Sequence, residues 1–243
     1  MIDHLTNNQM KLVKSLHQKK YRDQQGLFLV EGVKLVNEAI QSEAKLEMIV
    51  YAGEEEELPF TLPSEGYKAS AKDLGRISAL KTANKVLAVC QKHMKSTPVD
   101  SDWTVVLDQI SDPGNLGTII RICDWMGVKQ IVCDNESVDV YNPKVVQASM
   151  GSIFRVNVSY HDLSTYLDQS TPDVILAADM DGDSIYTYES PQKGLLVMGS
   201  ESHGLRPEVL EKCSSKISIP KLGQGESLNV AVSTGILLSH LMR

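Results

Sequence analysis

The feature that most constrains this chain is the alternation of short apolar runs with amphipathic ones from residue 104 to residue 242. Strands are expected at 104–108, 129–133, 153–158, 173–179, 194–199 and 216–219, and helices at 115–126, 142–150, 161–168, 206–213 and 227–242. Such alternation predicts an α/β fold, a mostly parallel sheet with helices on both faces. Ligands of open α/β sheets bind in the loops at the carboxyl ends of the strands. Three of those loops, 111–117, 199–204 and 220–229, are rich in Gly, Ser, Asn and Pro. No G-x-G-x-x-G follows a strand and no P-loop is present, so a ligand here is not held by the common dinucleotide or triphosphate cradles.

The first hundred residues read as a second, smaller α/β domain. Residues 4–20 carry Leu5, Leu12, Val13 and Leu16 near the helical period. A strand at 26–32, a helix at 33–41 and a strand at 45–53 make a βαβ unit, and a further strand lies at 86–92. The polar, proline-bearing stretch 95–103 is the best linker, which divides the chain into domains 1–96 and 103–243.

Charge and cysteine usage narrow the function. The net charge of -7 argues against a protein that simply coats nucleic acid, because nonspecific binding is driven by neutralising phosphates. Yet Lys11, Lys14, Lys19, Lys20 and Arg22 cluster without an acid among them, and Lys72, Arg76, Lys81, Lys85, Lys92 and Lys95 face only Asp73. These are either solvated faces or the landing ground of a polyanion, which would then meet the N-terminal part first. Cys90, Cys123, Cys133 and Cys213 are scattered without metal-ligand spacing and read as buried, reduced thiols. No apolar run is long enough to span a bilayer and the N-terminus lacks a secretory core, so the expected location is cytoplasmic.

The three loops each carry polar residues with two readings. In "SDPGNLGTIIRICDWMGV", residues 111–128, a helical wheel places Ile119, Ile120, Ile122, Cys123 and Met126 on one face and Thr118, Arg121, Asp124 and Trp125 on the other. Arg121 is then either solvated or, leaning toward the helix start, shares a pocket with Asn115 across a Cα separation of roughly 9 Å. "VMGSESHGLRPEVL", 197–210, is either a plain strand-to-helix link or a turn in which Gly199 and Gly204 let a ligand approach the backbone near Glu201. In "ISIPKLGQGESLNVAVSTGILLSHLM", 217–242, Ser227 or Asn229 either caps the last helix or lines a polar pocket. The small residues Ala231, Ser233 and Gly235 suit close packing or a dimer contact.

Taken in order, the loops resemble the three motifs of the SpoU (TrmH-like) RNA ribose 2'-O-methyltransferases of the SPOUT class. Asp112 to Arg121 matches the "DPGN-G-IIR" pattern, Met198 to Gly204 the "MG-E-G" pattern and Ile219 to Val230 the "IP...SLNV" pattern, with "ASMGSIFRVNV" (148–158) between them. The run "KKYRDQQGLFLVEGVKLVNEAI", 19–40, is similar to the family's ribosomal-protein-like substrate-binding domain. The resemblance implies a C-terminal trefoil knot, S-adenosylmethionine as cofactor, and a homodimer with the site completed across the interface, where Trp125 would lie. It implies Arg121 as the residue activating the ribose 2'-hydroxyl, with Asn115, Glu201, Ser227 and Asn229 as the other catalytic-site positions. Met198, Gly199, Ile219 and Leu228 correspond to positions that hold the cofactor. RNA is the implied partner, not DNA or a membrane, and ribosomal RNA is favoured over transfer RNA. A noncatalytic RNA-binding protein of the same fold is the rival from another class.

Overall fold

The computed structural model describes residues 3–62, 66–92, 101–200 and 203–243, which form two compact units. The first contains the N-terminal residues together with 139–154, and the second contains the remainder.

In the first unit, β1 (Asp3–His4), β2 (Leu27–Glu31), β3 (Leu46–Tyr51), β4 (Gly66–Lys68) and β5 (Val86–Gln91) form one sheet in the order β1-β4-β3-β5-β2. Helices α1 (Asn7–Ser15), α2 (Lys19–Gln25), α3 (Val33–Gln41) and α4 (Ala71–Ile77) accompany it. The expected single helix over 4–20 is two helices. Thr6 closes a capping box with Gln9 at the start of α1, and Leu16 caps its end before the chain reopens at Gln18. The expected βαβ unit is also modified, because β5 lies between β2 and β3, antiparallel to both.

Alternation along β2 shows why this sheet is buried on both faces. Leu29 joins Val13, Leu16, Leu74 and Ile77 in one apolar cluster, while the Phe28 ring lies 4.6 Å from that of Tyr141 and 6.3 Å from that of Phe154. Residues 139–154, including α6 (Pro143–Ser149), thus close the second face. Arg22 is buried there, 2.6 Å from Asp139 and donating to the carbonyls of Leu16 and His17. It is therefore no part of an exposed basic face, unlike Lys19 and Lys20 beside it.

The second unit is a wholly parallel sheet in the order β11-β9-β10-β6-β7-β8. Its strands are β6 (Trp103–Leu107), β7 (Gln130–Asp134), β8 (Asn157–His161), β9 (Ile175–Ser184), β10 (Gly194–Met198) and β11 (Ser215–Ser218). Helices α5 (Pro113–Met126), α7 (Leu163–Gln169), α8 (Pro207–Leu210) and α9 (Val230–Leu241) connect or follow them. The strand expected at 153–158 lies later, because Ser152–Phe154 form a short 3-10 turn. β6, β7 and β10 are buried along their whole length, as parallel strands covered on both faces must be. Strand order reverses between β6 and β10, the kind of switch point where a crevice opens beyond the carboxyl ends.

Among the described residues no helix is long and apolar enough to cross a membrane. Cys90, Cys123 and Cys133 are buried and Cys213 is partly so. Burial pushes all four thiols up, Cys213 to about 11, so none is available as a thiolate near neutrality.

Candidate functional site

The first loop is built by the cap of α5. The Asp112 side chain accepts from the Asn115 N–H at 2.9 Å, Pro113 occupies the first turn where no donor is needed, and Gly127 ends the helix in the left-handed conformation. Leu116, Gly117, Ile119, Ile120 and Cys123 are buried, while Ile122 and Met126 of the expected apolar face are only half-buried. Arg121 is exposed and makes no hydrogen bond or ion pair with another described residue. Trp125, one turn on, is 88% exposed.

The third loop ends in the cap of α9. Asn229 Oδ1 accepts from the N–H groups of Ala231 and Val232 at 3.0 and 3.3 Å, and its Nδ2 donates to Asn115 Oδ1 at 2.8 Å. One side chain therefore caps a helix and ties the third loop to the first. Of the two alternatives read from the sequence, the cap is the one seen for Asn229, while Ser227 lines the cavity described below. Helices α5 and α9 pack together, with Gly235 facing Ile122.

The second loop is a tight turn closed by mutual backbone hydrogen bonds of 3.0 Å between Ser200 and Gly204. A Cβ on Gly199 would lie 2.2 Å from the Gly204 carbonyl carbon, so only glycine fits. Gly204 has φ of 68°, and the His203 N–H donates to Ser200 Oγ. Glu201 lies outside the described residues.

A cavity of about 840 Å³ opens where the second and third loops meet the middle of β9 and the ends of β10 and β11. Met198, Gly199, Ile219, Ser227 and Leu228, all expected site residues, line it. Asn229 stands between the lining residues Leu228 and Val230; neither it nor Asn115, to which it donates, is itself among the lining residues. Arg121 is not among the lining residues of the single chain.

The cavity also contains residues the sequence did not single out: Asp179, Met180, His203, Lys221 and Leu222. Asp179 and Met180 enter through an irregularity of β9. Lys216 of β11 pairs with Ala177, but the next residue, Ile217, pairs with Asp183, so the intervening part of β9 is left out of the ladder. Gly182 is needed there, since a Cβ would lie 2.6 Å from the Ile217 nitrogen. Lys216, 2.8 Å away, and the Asp181 N–H hold the Asp179 carboxyl below the usual carboxylate range. A local reading of β9 contains no signal for this, because the bulge exists only against β11.

A wholly parallel sheet with a glycine-lined cavity at its carboxyl edge is the arrangement in which α/β proteins bind small ligands. A model of the SpoU rRNA Methylase family matches residues 102–239, and one of the MRM3-like substrate binding domain matches residues 7–88. The chain belongs to the SpoU rRNA methylase family. It is 32% identical to the Bacillus subtilis 23S rRNA (guanosine(2553)-2'-O)-methyltransferase RlmP, across 99% of this chain and 98% of that one. An AdoMet-bound rRNA methyltransferase from Sinorhizobium meliloti superposes with a TM-score of 0.85 at 28% identity, covering 99% and 96% of the two chains. The SpoU methyltransferase AviRb from Streptomyces viridochromogenes, in complex with AdoMet, gives 0.85 at 26% identity over 98% and 97%.

Proposed function

We propose that this chain is an S-adenosylmethionine-dependent RNA ribose 2'-O-methyltransferase acting on 23S ribosomal RNA. The observation that carries this reading is the Asn229–Asn115 hydrogen bond, which ties the first motif loop to the third, whose Ser227 and Leu228 line the cavity.

The cavity suits the cofactor. Its volume is within the range of small-molecule sites, and Gly199, Gly204, Gly223 and Gly225 put backbone without side chains along its wall. The backbone at Met198, Gly199, Ile219 and Leu228 would hold it, with Ser227 beside them. When bound, S-adenosylmethionine supplies an activated methyl group to an oxygen nucleophile. The chain's main contribution is positioning, since the hydroxyl must approach the methyl carbon in line. An arginine guanidinium is a fixed cation, so Arg121 acts by stabilising the negative charge that develops on the ribose 2'-oxygen as its proton passes to water, and by holding a neighbouring phosphate. Asn115 and Asn229 fix the floor against which that oxygen is placed, and Glu201 is the remaining polar motif residue.

The same reading makes residues 1–96 the RNA-binding domain, with Lys19 and Lys20 on its exposed face, and 103–243 the catalytic domain. It includes a cytoplasmic location, a C-terminal trefoil knot, and a homodimer in which a second copy covers Trp125 and completes the site around Arg121. Incubation with methyl-labelled S-adenosylmethionine and ribosomal RNA, followed by mapping of 2'-O-methyl positions in cells with and without the gene, tests it. Label in 23S ribosomal RNA is expected. Label only in transfer RNA would overturn the substrate assignment, and cofactor binding without any transfer would leave an RNA-binding protein.

A further inference from the structure

Beneath the cavity lies a buried polar cluster that none of the motif positions includes. Asp108, the residue after β6, is completely buried. Its backbone N–H donates to the Met198 carbonyl at 2.9 Å. Its carboxylate accepts from Arg206 twice over, at 2.8 Å from the backbone N–H and at 2.7 Å from Nε, and a second guanidinium nitrogen also lies 2.7 Å from it. Met198 and Arg206 are the two feet of the turn that carries Gly199, Ser200, His203, Gly204 and Leu205 along the cavity wall. Both feet are therefore fastened to one residue.

The cluster extends to the neighbouring strand. Asp134, buried at the end of β7, lies 3.7 Å from the Arg206 guanidinium. It accepts from the Gln109 N–H at 3.0 Å, from the Ser137 hydroxyl and from the Glu136 N–H. Gln109 is held at φ of 57°, an uncommon conformation for a residue with a side chain, and it begins the loop that leads to Asn115. Glu208 is the further charged neighbour of Arg206, at 3.8 Å.

We propose that Arg206 is a positioning residue for methyl transfer: by clamping Asp108 beside Asp134 it fixes where Gly199, Gly204 and Leu205 stand and hence the cofactor wall. The physical reason is that a carboxylate without exposure needs a charged, hydrogen-bonded partner. Asp108 can be satisfied only if the chain at Arg206 returns to it, which fixes where the turn must close. The paired nitrogens of arginine hold that return in orientation as well as in position. Burial pushes the Asp108 carboxyl above its ordinary value and Arg206 opposes this, consistent with a pair that depends on both members. The inference rests on the cavity being the cofactor site.

The test compares Arg206→Gln, Arg206→Lys and the double variant Asp108→Asn/Arg206→Gln with the unaltered protein. The double variant removes the buried charge together with its partner and keeps the question open if the single variant does not fold. Calorimetry with S-adenosylmethionine, steady-state kinetics with RNA, and amide exchange at Ser200 and Gly204 are measured. For Arg206→Gln and the double variant, a rise of about tenfold or more in cofactor Kd and KM is expected, with RNA KM within about twofold. Faster exchange at the two amides should accompany it, and Arg206→Lys should fall between the extremes. Unchanged cofactor affinity and exchange would overturn the clamp, as would equal losses for RNA and cofactor, which mark general loosening. If the unaltered protein binds no S-adenosylmethionine, the cofactor reading fails, and the exchange rates still decide whether Arg206 holds the turn.

Discussion

Asn229 donates to Asn115 across 2.8 Å while its own carbonyl oxygen caps α9, so residues 114 positions apart in sequence share one polar junction. Replacing Asn229 with Ala removes the cap and the junction together. Stability should fall by about 1–2 kcal/mol, as for loss of a helix cap, and methyl transfer should fall further than cofactor binding. Asn229→Asp keeps the acceptor that caps α9, so it should recover most of the stability and little of the activity. Urea unfolding beside a methyl-incorporation assay checks both halves.

Arg121 is exposed and holds no described partner, so its removal should cost the fold little. Arg121→Ala is expected to lower turnover by about 10²–10³-fold, the scale of losing one preorganised charge at the reacting oxygen. Calorimetric affinity for S-adenosylmethionine should stay close to that of the unaltered protein. A variant that turns over normally would remove Arg121 from the mechanism.

Gly199→Ala places a methyl group where the Gly204 carbonyl carbon stands 2.2 Å away, against backbone that has no side chain to swing aside. The turn must open, at a cost of about 1–3 kcal/mol. Thermal stabilisation by S-adenosylmethionine, expected in the unaltered protein, should be lost.

The Asp179–Lys216 pair predicts an acid-sensitive component of stability. Asp179 titrates below its ordinary value when folded, chiefly through its hydrogen bond with Lys216. Its contribution is therefore present above the unfolded carboxylate value of about 3.9 and is lost as pH falls through the folded one. Stability measured from neutral pH downward should decline less steeply in Asp179→Asn, and superimposable declines would refute the assignment.

Arg22 and the lysines beside it should separate cleanly. Arg22→Met leaves the largely covered Asp139 carboxylate without its cation and should destabilise the first unit by about 3 kcal/mol. Lys19→Ala with Lys20→Ala should leave stability nearly unchanged and weaken RNA binding, with a smaller salt dependence. Filter binding across a salt series distinguishes the two outcomes.

Local chemistry determined much of this protein from the sequence by itself. Asp112, Pro113 and Gly127 mark the bounds of α5 because capping and backbone freedom act within a few residues, and the prevailing alternation of strand and helix pointed to a parallel sheet with its ligand loops at one edge. The ordered motifs named candidate residues for the site. Only the tertiary structure decided which of them meet. Asn115 reaches Asn229 because α5 packs on α9, Arg22 is spent on Asp139 because residues 139–154 fold against β2, and Asp179 enters the cavity because β9 slips out of register with β11. Each depends on groups far apart in the chain, whose burial and hydrogen bonding are settled only when distant strands and helices pack. Periodicity and capping carry no information about such partners.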